Sequence, residues 1–493
     1  MNSSRREFTQ AAALVGTVPI AMAAAAKPAS KGDDLHWLSV EQLRDVIARK
    51  DISTVEVTEY FIRRAEALDP TLHVYATLDK EGARRAAREA DAAAKRGDRL
   101  GPLHGVPTAI KDHIAVKGLH WHQTGPTPAR ISKFDSLSVE RLRKAGAIIM
   151  GTNSMLGAGG GGGLAGEGRF APLNWDAEAR NPWNIEHAPG WSSSGGAASV
   201  AAGVLPFAIG SDGGGSTRLP AAYSGVVGMH PTGGLIPELD YVKPRPHAGI
   251  TIGPLTRHVR DAAIVTQVMA GPDGRDPFSI QTEPDDYLAK LEDGVRGMRF
   301  VWTDDFGFTD RYAAPESARL IALARAEAGK FAKLGASVEE TKVVFDDIMP
   351  SRMAQWLAFY PTEGLPTPTE EVFRAGFEAR GRNWDRFREL FKTNDLFLSV
   401  TSQRLAMKLK PWEEAWTTGG SQYPGGSFMG SYCSHTDMFN WLKFPAVSVP
   451  CGFIDGLPVG LQIAGPPGSE AKVFRAAYAY QRAFPQLGHP TVS

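Results

Sequence analysis

Residues 189–221 read PGWSSSGGAASVAAGVLPFAIGSDGGGSTRLPA, and they carry the strongest fold signals in the chain. Two serine clusters, around Ser192 and Ser216, each stand beside glycines and flank an apolar segment. A helix is predicted from about Gly195, then a buried strand over VLPFAIG, then a tight turn at DGGGS. Glycines beside a serine allow backbone amides to point at one spot and bind an oxyanion. The stretch therefore indicates either hydrolase chemistry or simply a tight strand-to-helix turn.

The sequence around this stretch alternates between strand and helix signals. Short β-type runs, VPTAI, AIIMGT, GITIGPL and MRFVW, are separated by helical patterns. Such alternation predicts the α/β class, a sheet flanked by helices. Upstream, Ser39 is placed to cap one helix and either Ser53 or Thr54 a second, and we expect the second helix to stop at Pro70. Near the end, two apolar runs around Asp455 and Gly456 predict a β-hairpin.

The first residues form a pattern of their own. Residues 4–8 read SRREF, a twin-arginine pattern, and residues 11–26 are apolar with small residues suited to cleavage. This apolar run is shorter than the roughly 20 residues that a membrane span needs. We expect a twin-arginine signal peptide over residues 1–26, cleaved on export to the periplasm. A stray basic start with an alanine-rich tail is the alternative.

The amino-acid composition excludes several classes of binding partner. Lysine plus arginine and aspartate plus glutamate both number 54, so the formal net charge is zero. Without a basic patch we expect no nucleic-acid partner and no stable membrane insertion. His120 and His122 have no third ligand at metal-binding spacing, so we expect no metal. Cys433 and Cys451 could pair, or both could be small buried side chains.

A serine nucleophile needs a base, and the sequence excludes the commonest arrangement. Thr217 and Arg218 follow Ser216, so the G-x-S-x-G elbow is absent. Lys111 is an alternative base, because it follows an apolar strand that would carry it into the interior, where burial favours the neutral amine. A surface lysine is the plainer interpretation. Asp212 and Arg218 are expected to support the turn.

Several blocks, in order, resemble the amidase signature family. The resemblance is dense over residues 101–270 and returns over residues 440–465. It is carried by GVPTAIKD from Gly105, GTN from Gly151, RNPWN from Arg180, the serine and glycine stretch, GVVG from Gly225, GPLTR from Gly253, and the late runs PAVSVPCGF and LPVGLQI.

The resemblance implies a Ser-cis-Ser-Lys triad. Ser216 matches the nucleophile that forms an acyl-enzyme, Ser192 the serine after a cis peptide bond that relays the proton, and Lys111 the base. Aligning the downstream VAAG run gives Ser192 without a gap. Ser193 needs a gap, so it ranks second, and it could support the lysine. The oxyanion hole matches the amides of Gly213, Gly214, Gly215 and Ser216.

The implied function is hydrolysis of a carboxylic amide, and also of esters, to an acid plus ammonia or an amine. No cofactor is expected, and the partner is a small-molecule amide. The family fold is one α/β/α domain around a large mixed sheet, here over residues 35–490. Two alternatives stay open: a non-catalytic exported binding protein, and an amidotransferase-type subunit. A homodimer is also left open.

Three features depart from the family pattern or vary. Trp191 stands where the family has a small residue, and it could reshape the loop or form a wall of the substrate site. The five glycines at 159–163 form either a lip of the active site or a linker, and they lack the lysine of a phosphate-binding loop. The aromatic side chains of region 345–435 form either core and interface or part of the substrate site, and as a variable region it is expected to shape the substrate site for an apolar or aromatic group.

Overall fold

The computed structural model describes residues 34–121, 130–155, 178–238, 250–359, 369–409, 428–485 and 488–492. The predicted signal peptide and the glycine run at 159–163 lie outside these residues. No helix in the described ranges is both long enough and apolar enough to cross a membrane.

Twelve α-helices are found within the described residues. They are α1 (Val40–Ala48), α2 (Thr54–Leu72), α3 (Lys80–Arg96), α4 (Leu137–Lys144), α5 (Ser194–Ala201), α6 (Arg218–Ser224), α7 (Val259–Met269), α8 (Ser317–Gly329), α9 (Met349–Phe359), α10 (Glu370–Leu390), α11 (Phe428–Leu442) and α12 (Glu470–Ala483).

The same part of the chain contains thirteen strands. They are β1 (Tyr75–Leu78), β2 (Pro107–Lys111), β3 (His120–Trp121), β4 (Arg130–Ile131), β5 (Ile148–Asn153), β6 (Phe207–Asp212), β7 (Val227–His230), β8 (Thr251–Thr256), β9 (Arg299–Trp302), β10 (Ser337–Glu340), β11 (Leu396–Val400), β12 (Ala446–Ile454) and β13 (Leu457–Ala464).

One mixed sheet of eleven strands organises the molecule. Its order is β1-β5-β2-β6-β8-β7-β12-β13-β11-β9-β10, while β3 and β4 form a separate ribbon. The α/β prediction is therefore confirmed. Strands β5, β2 and β6 run parallel, with Lys111 opposite Asn153 and Thr108 opposite Phe207. Because the carboxyl ends of parallel strands meet at one edge of a sheet, the ends of β2 and β6 are neighbours.

The N-terminal helices follow their capping signals, with one correction. Both Ser39 and Ser53 form capping boxes at the starts of α1 and α2. Helix α2 does not stop at Pro70, as predicted, but continues to Leu72. A proline in the last turn removes only one helical hydrogen bond, and the helix ends where His73 takes a left-handed conformation at φ 52°.

Two charged side chains attach this N-terminal layer to the rest of the fold. The Asp261 carboxylate on α7 accepts the Val40 amide at 3.1 Å, at the start of α1. Arg257, just before α7, donates to the Leu38 carbonyl at 2.9 Å and to the Val200 carbonyl at 3.0 Å. Burial raises the pKa of Asp261 to about 6, although the Val40 amide and the charge of Arg257 act against this shift.

The second half of the chain packs aromatic side chains into a core. Phe345, Phe387, Phe397, Phe439 and Phe444 pack together, for example with the rings of Phe345 and Phe387 4.4 Å apart. Within the 345–435 region, Phe345, Phe387 and Phe397 are therefore core residues.

Two further predictions concern the hairpin and the cysteines. The hairpin of β12 and β13 turns at Asp455 and Gly456, both with positive φ (52° and 78°), as its sequence predicts. Cys433 and Cys451 form no disulfide and both are buried, so the alternative of small buried side chains holds.

Candidate active site

Lys111 lies at the carboxyl end of β2 with 1% of its surface exposed. Its Nζ donates to Ser192 Oγ at 2.7 Å. It also lies 3.1 Å from Ser211 Oγ and 3.3 Å from the Ser211 carbonyl oxygen, at the neighbouring end of β6. The adjacent strands therefore bring the predicted base to Ser211, while the loop before α5 brings the predicted relay serine into direct contact with the lysine.

Ser192 follows a cis peptide bond, and Tyr432 hydrogen-bonds to the backbone of Trp191, the residue before it. The Trp191–Ser192 bond is cis. The Trp191 amide donates to the Tyr432 hydroxyl at 2.7 Å, and this hydroxyl donates to the Trp191 carbonyl at 3.1 Å. Tyr432 comes from α11, and burial raises its pKa well above the ordinary value. No sequence motif indicated this role of Tyr432.

Trp191 occupies a core position beside this tyrosine. Its side chain is 6% exposed, and its ring centre lies 5.0 Å from that of Tyr432. It belongs to the cluster that also contains Tyr223 and Leu219. Of the two roles considered for Trp191, these contacts describe a ring that fixes the loop before Ser192.

Ser193 is linked to both sides of the site. Its hydroxyl donates to the Ser211 carbonyl at 3.2 Å and accepts the Ser211 amide at 3.3 Å. Its own amide donates to the Ser216 carbonyl at 3.2 Å. Ser193 thus supports the residue that contacts Lys111 and connects the two serine clusters. Sequence reasoning missed Ser211, although parallel pairing of the strands that end at Lys111 and Asp212 would have placed it there.

Ser216 lies in the turn between β6 and α6, after three glycines. The Gly215 amide, predicted as an oxyanion donor, instead donates to Asp212 Oδ1 at 2.6 Å. The expected set of donors is corrected accordingly, since an amide that is bonded to Asp212 is not free to bind a substrate. Among the described residues, the amides of Gly213, Gly214 and Ser216 have no protein acceptor.

Glycine is required at position 215 on steric grounds. Its φ is +124°, and a Cβ there would lie 2.3 Å from Thr436 Oγ1 and 2.5 Å from Leu219 Cδ1. The turn therefore packs directly against α11, with no room for a side chain.

Asp212 and Arg218 form a fully buried ion pair that braces the turn. Arg218 Nε lies 2.9 Å from Asp212 Oδ2, and both side chains are 0% exposed. Asn440 Nδ2 also donates to the carboxylate at 2.9 Å, and the Thr217 amide donates to Oδ2 at 3.2 Å. Burial acts to raise the pKa of Asp212, but the charge of Arg218 and these hydrogen bonds outweigh it and hold the pKa well below the ordinary value. The expected supporting role has a clear geometric basis.

Two further side chains contact the carbonyls of the glycine turn. Arg352 Nη2 donates to the Gly213 carbonyl at 2.7 Å, and Thr436 Oγ1 donates to the Gly214 carbonyl at 2.7 Å. They come from α9 and α11, far from the turn in sequence. Neither had been singled out from the sequence.

The sequence predicted no metal site at His120 and His122, which lie on or next to β3 in the sequence. His120 on β3 is exposed, and His122 lies outside the described residues. Within the described ranges, no group of three or more His, Cys, Asp or Glu side chains is placed to hold a metal ion.

Known proteins match this chain over nearly its full length. It matches the family model described as Amidase over residues 56–360 and 362–474. A glutamyl-tRNA(Gln) amidotransferase subunit from Moorella thermoacetica is 32% identical over 507 residues, covering 92% of this chain and 99% of that protein. An acylamidase from Rhodococcus erythropolis is 31% identical over 486 residues, covering 92% and 96%.

Solved structures give the same result. A bacterial aryl acylamidase described as one of the amidase signature enzymes has a TM-score of 0.75 at 26% identity, covering 92% of this chain and 97% of its own. A peptide amidase from Stenotrophomonas maltophilia has a TM-score of 0.72 at 25% identity, covering 92% and 98%. The fold and the matches define the class of an amidase-type hydrolase. The chain belongs to the amidase signature family.

Proposed function

We propose that this protein hydrolyses carboxylic amides through Ser216, Ser192 and Lys111. The observation that carries the proposal is the 2.7 Å hydrogen bond from the buried Lys111 amine to Ser192 Oγ. A buried amine that contacts a serine hydroxyl can receive its proton when the amine is neutral. Ser193 connects this pair to the turn that carries Ser216.

The proposed reaction has two stages. The Ser216 hydroxyl oxygen attacks the carbonyl carbon of the amide while its proton passes to Ser192 Oγ, and the Ser192 proton passes to the Lys111 amine. The tetrahedral intermediate then collapses. The amine leaves with the proton that Lys111 returns through Ser192. Water then attacks the acyl carbonyl carbon and gives its proton through Ser192 to Lys111. The bond from this carbon to Ser216 Oγ breaks as the proton returns through Ser192 to Ser216, which releases the acid and restores the hydroxyl.

The negative charge on the intermediate requires hydrogen-bond donors. The amides of Gly214 and Ser216 are the proposed oxyanion donors, together with that of Gly213, while Gly215 is committed to Asp212. Such donors stabilise charge that develops only during the reaction. Because the same intermediate forms from esters, we expect esters to react as well.

The substrate is proposed to be a small acyl amide with an apolar or aromatic group. The names of two relatives, an acylamidase and an aryl acylamidase, support this choice. A panel of anilides, aliphatic amides, peptide amides and esters tests it with product identification. Turnover of anilides above the other amides is expected, whereas turnover of peptide amides alone would contradict the choice.

The second candidate is an amidotransferase-type subunit, favoured by the relative from Moorella thermoacetica. Hydrolysis without a partner protein separates the two. The purified chain should release ammonia or amine from its substrate by itself. Dependence of this release on additional proteins and charged tRNA would favour the amidotransferase.

We propose export by a twin-arginine signal over residues 1–26, supported by the SRREF segment and the apolar run that follows. Cell fractionation and N-terminal sequencing of the mature protein test this proposal. Replacing both Arg5 and Arg6 with lysine should retain the protein in the cytoplasm. A full-length protein in the cytoplasm before any substitution would contradict export.

The catalytic proposal is tested by active-site labelling and substitution. A fluorophosphonate should label Ser216, and Lys111→Met should abolish turnover while leaving binding of a substrate analogue largely intact. Because the base must be unprotonated, turnover should rise from neutral to alkaline pH. Unchanged turnover in the Lys111 variant, or an acidic optimum, would contradict the assigned base. Ligand binding without turnover in the native protein would favour the binding-protein alternative.

A further inference from the structure

Side chains from outside residues 189–221 donate hydrogen bonds to carbonyl groups of the glycine turn at residues 213–215. The Gly213 carbonyl accepts Arg352 Nη2, and the Gly214 carbonyl accepts Thr436 Oγ1, each at 2.7 Å. The Gly215 carbonyl accepts the Leu219 amide at 2.7 Å. Three successive carbonyls of the turn therefore have fixed partners.

These contacts set the directions of the amides. In a trans peptide the carbonyl and the following N–H point in opposite directions. The carbonyl of Gly213 points to Arg352, so the Gly214 amide points away from it. By the same geometry the Gly215 amide points away from Thr436, where it meets Asp212 Oδ1 at 2.6 Å. The Ser216 amide likewise points away from Leu219.

Arg352 is itself held rigidly by its surroundings. It is 2% exposed, and its Nε lies 2.9 and 2.8 Å from the two carboxylate oxygens of Asp437. Its Nη1 donates to Gln355 Oε1 at 2.9 Å. Its guanidinium also lies over the ring of Trp441, 5.4 Å from the ring centre. A buried arginine whose donors and charge are satisfied in this way has little freedom to move.

We propose that Arg352, fixed by Asp437, is a positioning residue that aims the Gly214 amide at the oxyanion, and that Thr436 holds the next peptide, whose Gly215 amide donates to Asp212, so that the turn keeps its shape. The inference rests on the proposed function of Ser216 and adds residues to it. Arg352 acts through the Gly213–Gly214 peptide rather than on a reacting atom, and Thr436 acts through the next peptide.

The proposal predicts loss of reactivity without loss of binding. Phosphonylation of Ser216 by a fluorophosphonate also places negative oxygen in the oxyanion site, so its maximal rate constant and its inhibitor-binding constant can be measured separately. Losing one oxyanion donor lowers rates by about 100- to 1000-fold in known cases, and a misaimed donor should cost about tenfold or more.

The variants are chosen so that folding does not obscure the result. Arg352→Met combined with Asp437→Asn removes both charges of the buried pair, because either change alone would leave an uncompensated charge. Thr436→Val keeps shape and removes only the hydroxyl. Arg352→Lys retains a donor and should recover part of the rate. Arg386→Met is the matched control, since Arg386 pairs with Asp346 without contacting the turn.

We expect the double variant to lower the maximal labelling rate about tenfold or more, and Thr436→Val to lower it by less because Thr436 orients no oxyanion donor directly, with the inhibitor-binding constant within twofold of the native value in both. The control should label at the native rate. A folded double variant that labels within twofold of the native rate would overturn the proposal.

A second measurement does not depend on chemistry at Ser216. Hydrogen exchange of the amides of Gly215 and Thr217, which donate to Asp212, should become faster in both variants and remain unchanged in Arg386→Met. Unchanged exchange in the double variant would overturn the proposal. Failure of the proposed function would give a different result: native Ser216 would label no faster than Ser216 in Lys111→Met. In that case the hydrogen-exchange measurement would still decide whether Arg352 positions the turn.

Discussion

Replacing Arg218 with methionine tests the buried ion pair beneath the glycine turn. The change removes two charged contacts to Asp212, from Nε at 2.9 Å and from Nη2 at 3.0 Å. It also removes donors to the Thr436 carbonyl at 3.0 Å and to Gln462 Oε1 at 2.7 Å. The carboxylate keeps Asn440 and nearby amides but loses its counter-charge. Breaking a buried pair in this way costs about 3–5 kcal/mol of unfolding free energy.

The loss should depend on pH, and its sign follows from the pKa of Asp212. In the native protein this pKa lies below the ordinary value, so the carboxylate contributes stability above about pH 4 that is lost only in stronger acid. Without Arg218, burial becomes the leading effect and should raise the pKa above the ordinary value. The folded variant then binds a proton that the unfolded chain has lost, so its stability falls as pH rises.

The assay is urea unfolding, followed by tryptophan fluorescence, of both proteins between about pH 5 and pH 8. The difference in unfolding free energy should widen toward the upper end of this range. Arg319→Met is the matched control, because Arg319 pairs with Asp455 at the surface, where the two side chains are 57% and 60% exposed. Such an exposed pair contributes little to stability because solvent screens it. If Arg218→Met costs less than about 1 kcal/mol, or costs the same at every pH, the ion pair does not stabilise the turn as argued.

Three further outcomes are expected. The pKa of Asp261 is raised to about 6, so the native protein loses stability as pH rises from about 4 to 6 and the buried carboxyl ionises. Asp261→Asn does not ionise, so its stability relative to the native protein should rise over this window, by about 3 kcal/mol at most. Parallel urea titrations of the two proteins check this. Tyr432→Phe removes both hydrogen bonds to the Trp191 backbone and should lower the melting temperature and turnover together, measured by calorimetry and initial rates. Ser211→Ala removes the hydroxyl beside Lys111 and should lower kcat about tenfold with KM unchanged, and an effect on KM alone would contradict its assigned position.

The sequence predicted the parts of the site that depend on local pattern. The apolar runs that became β2 and β6 placed Lys111 and Asp212 at strand ends, and parallel pairing then brought Ser211 to the lysine. The family resemblance placed a cis peptide bond before Ser192, and the structure has one there. Local signals failed at Pro70, where the helix tolerates a proline in its last turn.

The supports of the site could not be predicted in the same way. Tyr432, Thr436 and Arg352 contact backbone atoms of Trp191, Gly214 and Gly213. A carbonyl or amide group is the same in every residue, so such contacts leave no complementary residue pair in the sequence. Which distant helix supplies the donor depends on how the aromatic core packs α9 and α11 against the sheet. That packing is a property of the whole fold.

One support of the glycine turn comes from the region expected to shape the substrate site. Region 345–435 was expected to shape that site, yet Arg352 within it, and Thr436 just beyond it on α11, donate to carbonyls of the glycine turn. A substitution there can therefore alter the rate of the chemical step without touching the substrate. Binding energy and oxyanion geometry are connected through the same helices, so changes of specificity in this region should alter kcat as well as KM.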